Sequence, residues 1–303
     1  MPAPIIAAYS PYTEDRAPVA LALAAAELSD SEVTAVAVYP WTMTEGFAAP
    51  YAFDGETQQL VTSALQRLHE DLGVKTEVVN DLSIPRALHA LAREVGAGLI
   101  VVGSTGRGRA GRVLAGSTAE RLLVGAPCPV LLAPRALEDR RLTTIAVGFV
   151  DTPEGHDALA AAHALAAHAG ARLRVIAVLH PSGGLDAAMA AGLRPQRAAM
   201  LEGRHRQAIE TALDQALAAL PPGVDVERDL HVDDPAEVLL RISEHVDLLV
   251  CGSRGYGPLR SVLLGGVSRR LVDEARCPVL VLPREAGRPL EGLFETDDAV
   301  PAS

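Results

Sequence analysis

Short apolar runs alternate with longer amphipathic or alanine-rich stretches along nearly the whole chain. Ile5 to Tyr9 reads as a buried strand closed by Ser10-Pro11, and an Ala-rich helical stretch follows from about Asp15 to Leu28. Val33 to Val38 gives a second strand, Gln58 to Leu72 a helix, Thr76 to Val79 a third strand and Pro85 to Val95 a third helix. Leu99 to Val102 then reads as a fourth, fully apolar strand. Strands of this length, separated by helices rather than tight turns, predict parallel βαβ units with helices on both faces of the sheet, an α/β doubly wound class.

At Gly103 the fourth apolar run breaks into a loop holding Gly103, Gly106, Gly108 and Gly111, and helical sequence resumes at Gly116-Ser117. Glycines allow backbone N–H groups to turn inward, and a helix start adds unsatisfied donors with partial positive charge. Strand, glycine loop and helix start together read as a cradle for an anion, most naturally phosphate. Arg107, Arg109 and Arg112 add positive charge, although a solvated loop explains arginines equally well. A further helix leads to a fifth apolar run, Pro129 to Leu132, and the charged segment Arg135 to Arg141 reads as a linker.

The pattern then repeats. Thr144 to Phe149 is a strand, Pro153 to His168 an Ala-rich helix and Leu173 to Leu179 a strand, followed by a longer variable segment and helix over 181–220. Asp234-Pro235-Ala236-Glu237 carries the signature of a helix start, with an N-cap Asp and a proline in the first turn. Gly103, Gly106, Gly116 and Cys128 recur as Gly252, Gly255, Gly265 and Cys277, all at an offset of 149. Ile5 and Ile145 differ by 140, so the second copy has gained a net nine residues between, most simply within Pro181 to Arg204. This is a tandem duplication. It also removes a competing motif: Gly106 to Gly111 matches a G-x-G-x-x-G dinucleotide fingerprint, but the second copy has Arg260 for the last glycine and Pro258 inside the run. That fingerprint belongs after the first strand, not the fourth.

Composition narrows the function classes. With 303 residues, 49% of them apolar, the chain can bury two cores. A formal net charge of -11 without a basic tail argues against nucleic acid or an anionic membrane surface as partner. Three widely spaced cysteines, Cys128, Cys251 and Cys277, fit buried core positions in a reducing compartment. No charged-then-apolar signal precedes Ile5 and no run reaches bilayer length, so a cytoplasmic protein is expected.

Catalysis finds little support in the same residues. The only lysine, Lys75, lies near the third strand, away from both glycine loops. Ser182 to Ala187 resembles the SGGxD-S/T loop of ATP pyrophosphatases, but it follows a second strand and ends in alanine. His156, His163 and His168, at spacings of seven and five, do not share a helix face as a metal pair would and read as surface or packing residues.

Gly103-x-x-Gly106-x9-Gly116-Ser117, with the following helix and the Cys128-Pro129-Val130-Leu131 strand, resembles the ATP-binding type of the universal stress protein family. The resemblance covers two tandem domains, 1–138 and 142–286, and leaves 287–303 as an acidic tail expected to be disordered. It implies in each domain a Rossmann-like five-stranded parallel sheet of order 3-2-1-4-5, with the nucleotide between strands 1 and 4. It further implies that Gly103, Gly106, Gly116 and Ser117, with Arg107 beside them, hold phosphates. Gly252, Gly255, Gly265, Gly266 and Ser268 correspond in the second domain, and Val38 and Val178 line the adenosine pocket.

Departures from the pattern rank the two sites. The family's acid at the end of strand 1 is Ser10 in the first copy and Val150 in the second, where Asp151 is next in line. The hydroxyl expected after Gly265 is replaced by Gly266, while the first copy keeps Ser117 but has Ala119 at the place of Ser268. The resemblance therefore implies a stress-response regulator binding ATP, alone or with Mg2+, in the first domain ahead of the second, with at most weak ATP hydrolysis. It also implies an internal pseudo-dimer joined through the fifth strands, and allows a homodimer. Two other classes remain open: a nucleotide-free interaction module of the same fold, and an adenine-nucleotide-using enzyme resting on the Ser182 loop.

Overall fold

The computed structural model describes residues 2–39, 55–104, 113, 115–134, 141–180, 195–253, 265–283 and 290–294. Two compact units emerge: unit 1 takes residues 1–139 together with 283–303, and unit 2 takes residues 140–282.

Unit 1 follows the order β1 (Ile5–Ala8), α1 (Ala17–Ser29), β2 (Val33–Tyr39), α2 (Gly55–Leu72), β3 (Lys75–Asn80), α3 (Ile84–Val95), β4 (Leu99–Gly103), α4 (Ser117–Leu123) and β5 (Val130–Ala133). All of its strand pairs are parallel, in the order β3-β2-β1-β4-β5. Ile5 pairs with Val33 on one side and with Leu99 on the other, so β1 and β4 are direct neighbours at the centre. Ile5, Ile6, Ile100 and Leu132 are fully buried, as a parallel sheet covered on both faces requires. The small residues of α1 bury Ala17, Val19, Ala22 and Ala26 and let that helix lie close to the sheet.

Unit 2 repeats the plan with β6 (Thr144–Phe149), α5 (Pro153–Ala169), β7 (Arg172–Leu179), α6 (Pro195–Ala218), β8 (Val226–Val232), α7 (Pro235–Ile242), β9 (Leu248–Gly252), α8 (Gly266–Glu274) and β10 (Val279–Leu282). Its strands lie in the order β8-β7-β6-β9-β10, again all parallel. Asp234 caps α7 as its sequence predicts, accepting a bond from the Glu237 amide at 3.0 Å.

The strand β8 has no counterpart among the expected elements. Its residues are half charged, and ion pairs explain why it forms: Arg174 on β7 bonds Asp229, and Arg228 bonds Asp214 of α6. The tail is corrected at four residues. Leu290–Leu293 forms a 3-10 helix, not a disordered stretch, and Leu290 and Leu293 are 1% and 2% exposed. Leu293 sits over Gly98 and Ala3, where a Cβ added at Gly98 would come within 2.6 Å of Leu293 Cδ2. Leucines three apart place both side chains on one side of a 3-10 turn, which gives the segment an apolar face to bury. The linker over 135–140 and the Ser182 loop lie outside the described residues.

All three cysteines are buried, and burial pushes each thiol up to about 12. A thiol so far from ionising is a poor nucleophile. Ellman's reagent at pH 8 is accordingly expected to find no fast-reacting thiol in the native chain and all three after denaturation. A rapid native reaction would show that one of these sites opens.

Candidate functional site

In unit 1 the candidate residues gather at the carboxyl ends of adjacent strands. Ser10 follows β1 and is exposed, with its carbonyl accepting from the amides of Thr13 and Glu14, both at 3.2 Å, in the turn that leads to α1. Val38 lies half-buried on β2, and Gly103 ends β4 opposite Ala133. Gly116 enters α4 in extended conformation, with φ -84° and no side chain capping the first turn, and Ser117 is the first helical residue. Gly106 and Arg107 lie outside the described residues.

Packing accounts for one of these glycines. A Cβ at Gly103 would meet Pro18 Cγ of α1 at 2.9 Å, so the end of β4 and the start of α1 come together only if that position is bare. Asp15 is beside it, with Oδ2 3.7 Å from the same Cβ position and Oδ1 accepting from the Ala17 amide at 3.1 Å. The sequence reading missed this carboxylate, although an Asp two residues before Ala17 at a helix start is the available signal.

Unit 2 shows a small cleft, open to solvent, at the carboxyl ends of β6, β7 and β9. Phe149, Val150, Ile176 and Val178 come from the first two strands and the residue after β6, and Leu239 and Val267 from α7 and α8. Gly252 and Ser268 complete the wall; Ser268 is 3% exposed and donates its hydroxyl to the Gly252 carbonyl at 2.8 Å. Gly265 binds back to the Ser253 carbonyl through its amide at 2.8 Å, and Gly266 is exposed at the start of α8. Gly255 lies outside the described residues.

Asp151 turns to a neighbour. Its carboxylate is 2.9 Å from His156 Nε2, and the His156 ring stands edge-on to Phe149 with centroids 5.3 Å apart. His163 and His168 likewise bond backbone carbonyls, those of Pro221 and Ala164. Arg270 of α8 ties two walls of the cleft together, reaching the Asp234 carboxylate at 3.2 Å and Glu237 at 2.6 Å on α7. Because these groups are substantially exposed, the tie fixes geometry more than it adds stability.

Gly155, another lining residue absent from the sequence reading, shows why the cleft has its shape. A Cβ there would stand 1.9 Å from the Val150 carbonyl oxygen, while its amide donates to Thr152 Oγ1 at 3.1 Å. Gly155→Ala must therefore push the first turn of α5 away from Val150. It is expected to cost about 1–3 kcal/mol, the range for overpacking, read as a lower urea midpoint of the unit 2 transition. An unchanged midpoint would show that this turn yields freely.

Two copies of an open parallel α/β unit, each with its two central strands at the switch point of the strand order, define a tandem doubly wound architecture. The universal stress protein family model matches residues 3–134 and 142–283, and the chain belongs to that family. A universal stress protein of Mycobacterium tuberculosis is 31% identical over 240 residues, covering 75% of this chain and 77% of the relative. Among solved structures, a universal stress protein from Archaeoglobus fulgidus is similar at TM-score 0.63 and 17% identity, covering 92% of this chain and 98% of its own. A functionally unknown protein from Pseudomonas aeruginosa PAO1 is similar at TM-score 0.66 and 18% identity, covering 97% and 96%.

Among the described residues, no group of three or more His, Cys, Asp or Glu is placed to hold a metal ion, and no helix is long and apolar enough to cross a membrane.

Proposed function

We propose that unit 1 binds an adenine nucleotide, ATP, in the crevice outside the carboxyl ends of β1 and β4, and that the protein acts as a cytoplasmic stress-response regulator. The observation that carries this reading is the strand order. Connections run from β1 towards β2 on one side and from β4 towards β5 on the other, so the ends of β1 and β4 flank a switch point, where open α/β sheets bind ligands. Ser10, Val38 and Gly103 border that point, and the repeated Gly-x-x-Gly-x9-Gly sequence begins there. Gly106, Arg107, Gly116 and Ser117 would face the phosphates. Asp15 is the carboxylate at the start of the loop that would face a Mg2+ ion carried by them.

Regulation is favoured over turnover because Lys75 stands at the start of β3, paired with Glu32 at 2.6 Å, well away from the end of β4. The internal pseudo-dimer implied by the family belongs to the same proposal, and a monomeric chain in sedimentation would accord with it.

Protein purified without added nucleotide, then denatured, is expected to release an adenine nucleotide, and Mg-ATP is expected to give a saturable calorimetric signal with the emptied chain. No released ligand together with no heat would leave the nucleotide-free interaction module as the reading. Product formed above the background rate would overturn the non-catalytic part.

A further inference from the structure

The outer strand of the unit 1 sheet is complementary to itself. β3 ends the strand order, so one side of it carries no partner strand among the described residues. The ladder decides which backbone groups turn to that side. The Ile5 amide bonds the Glu32 carbonyl at 2.8 Å and the Tyr9 amide bonds the Val36 carbonyl at 2.9 Å, so even positions of β2 face β1 and odd ones face β3. With Ala35 in register with Thr76, the peptide groups of Lys75, Glu77 and Val79 complete the β2–β3 ladder, and those of Thr76 and Val78 point outward. The connection that follows Tyr39 leaves level with Asn80, past this stretch.

Residues 74–78 read Val-Lys-Thr-Glu-Val. A second copy laid antiparallel along the edge, with a two-fold axis through Thr76, sets Thr76 opposite Thr76 and lets their N–H and C=O groups exchange hydrogen bonds. Lys75 then falls opposite Glu77 of the second copy and Glu77 opposite its Lys75, at the closely spaced positions where cross-strand side chains meet. Both residues are exposed; the Lys75 ammonium bonds Glu32 at 2.6 Å and has further donors to give. Val78, 43% exposed, falls opposite Val74, and the axis brings the exposed Leu72 of one copy to the end where Leu82 of the other is 76% exposed. Charge excludes the neighbouring registers. Sliding to the next pairing that keeps outward groups together sets Glu77 against Glu77 in one direction and Lys75 against Lys75 in the other.

The outer strand of unit 2 lacks this property. Val175 pairs with Arg228 as Ala35 pairs with Thr76, and the same axis through Arg228 would set Glu227 against Asp229. Arg228 and Asp229 are moreover engaged within the unit, with Asp214 and Arg174.

We propose that β3 is a homodimer interface, in which two copies of the chain join antiparallel through residues 74–78 and continue the unit 1 sheet across a two-fold axis. β3 and β5 are opposite edges of that sheet, so the inference rests neither on the nucleotide reading nor on an internal pairing of the fifth strands.

Sedimentation velocity of the full chain tests it. A short strand pair is a small interface, so monomer at about 1 µM and reversible dimer by about 100 µM are expected, with less dimer as salt is raised. Glu77→Lys sets like charges opposite each other at both pairs and should weaken the dimer at least about tenfold; adding Lys75→Glu restores opposite charges in reversed order and should recover it. Thr76→Pro removes an outward N–H that β2 does not use, so circular dichroism should stay unchanged while the dimer is lost. Should that proline disturb the strand, the charge exchange alone decides. The proposal is overturned if the chain stays monomeric throughout, or if the double charge exchange is no tighter than Glu77→Lys alone. It is likewise overturned if the dimer survives both Glu77→Lys and Thr76→Pro in folded chains, since another surface then carries it. Nucleotide release bears on the crevice alone, so either reading can fail while the other stands.

Discussion

Gly106→Val is expected to reduce ATP affinity by at least about 100-fold, close to 2.7 kcal/mol, while Gly255→Val leaves it within about twofold. The glycines of the loop after β4 matter on the proposed reading because phosphate would be held there by backbone N–H groups that must approach it closely. A branched side chain would enter the space the phosphates need and would restrict the backbone angles that turn the amides inward. Gly255 occupies the matching place in unit 2, where Val150 and Gly266 stand in the places of Ser10 and Ser117. Calorimetric titration of both variants with Mg-ATP checks the contrast. Equal losses would show that the two sites are not ranked as proposed, and no loss in either would remove the glycine loop from binding.

The second large effect is structural. Leu293→Ala should destabilise unit 1 by about 2–4 kcal/mol, the range for emptying a fully buried leucine site. The side chain fills the space over Gly98 and Ala3, at the amino ends of β4 and β1, so the damage should centre there. Hydrogen exchange is the natural measurement: protection at Ile5, Ile6 and Ile100 should fall, while amides of β6 and β9 keep theirs. Removing everything after Pro283 should do at least as much. If protection in β1 and β4 is unaltered by both changes, the 3-10 segment only rests on unit 1 without supporting it.

The parallel strands were readable because each is short, apolar on both faces and separated from the next by helix-length sequence. Ile5–Ala8, Val33–Tyr39 and Leu99–Gly103 needed nothing else. The edge strand Val226–Val232 escaped because Glu227, Arg228, Asp229 and His231 mask its alternation. Only the fold brings Arg174 and Asp214 to those charges, from positions far away in sequence. At the sites, the repeat pointed to Gly252 as the counterpart of Gly103, and the family resemblance pointed to Val178 and Ser268. It could not reveal that Ser268 turns its hydroxyl back to the Gly252 carbonyl, nor that Asp151 prefers the histidine five residues on. Gly155 and Leu239 were invisible for a related reason: each lines the cleft through a contact, with Val150 and Gly148, that the linear sequence does not display.

The return of Leu290–Leu293 to Ala3 and Gly98 changes what kind of duplication this is. In chain topology unit 2 is an insertion, because residues of unit 1 both precede and follow it. The segments on either side of the inserted unit thus meet within unit 1, Leu293 of the later one lying against Ala3 of the earlier one.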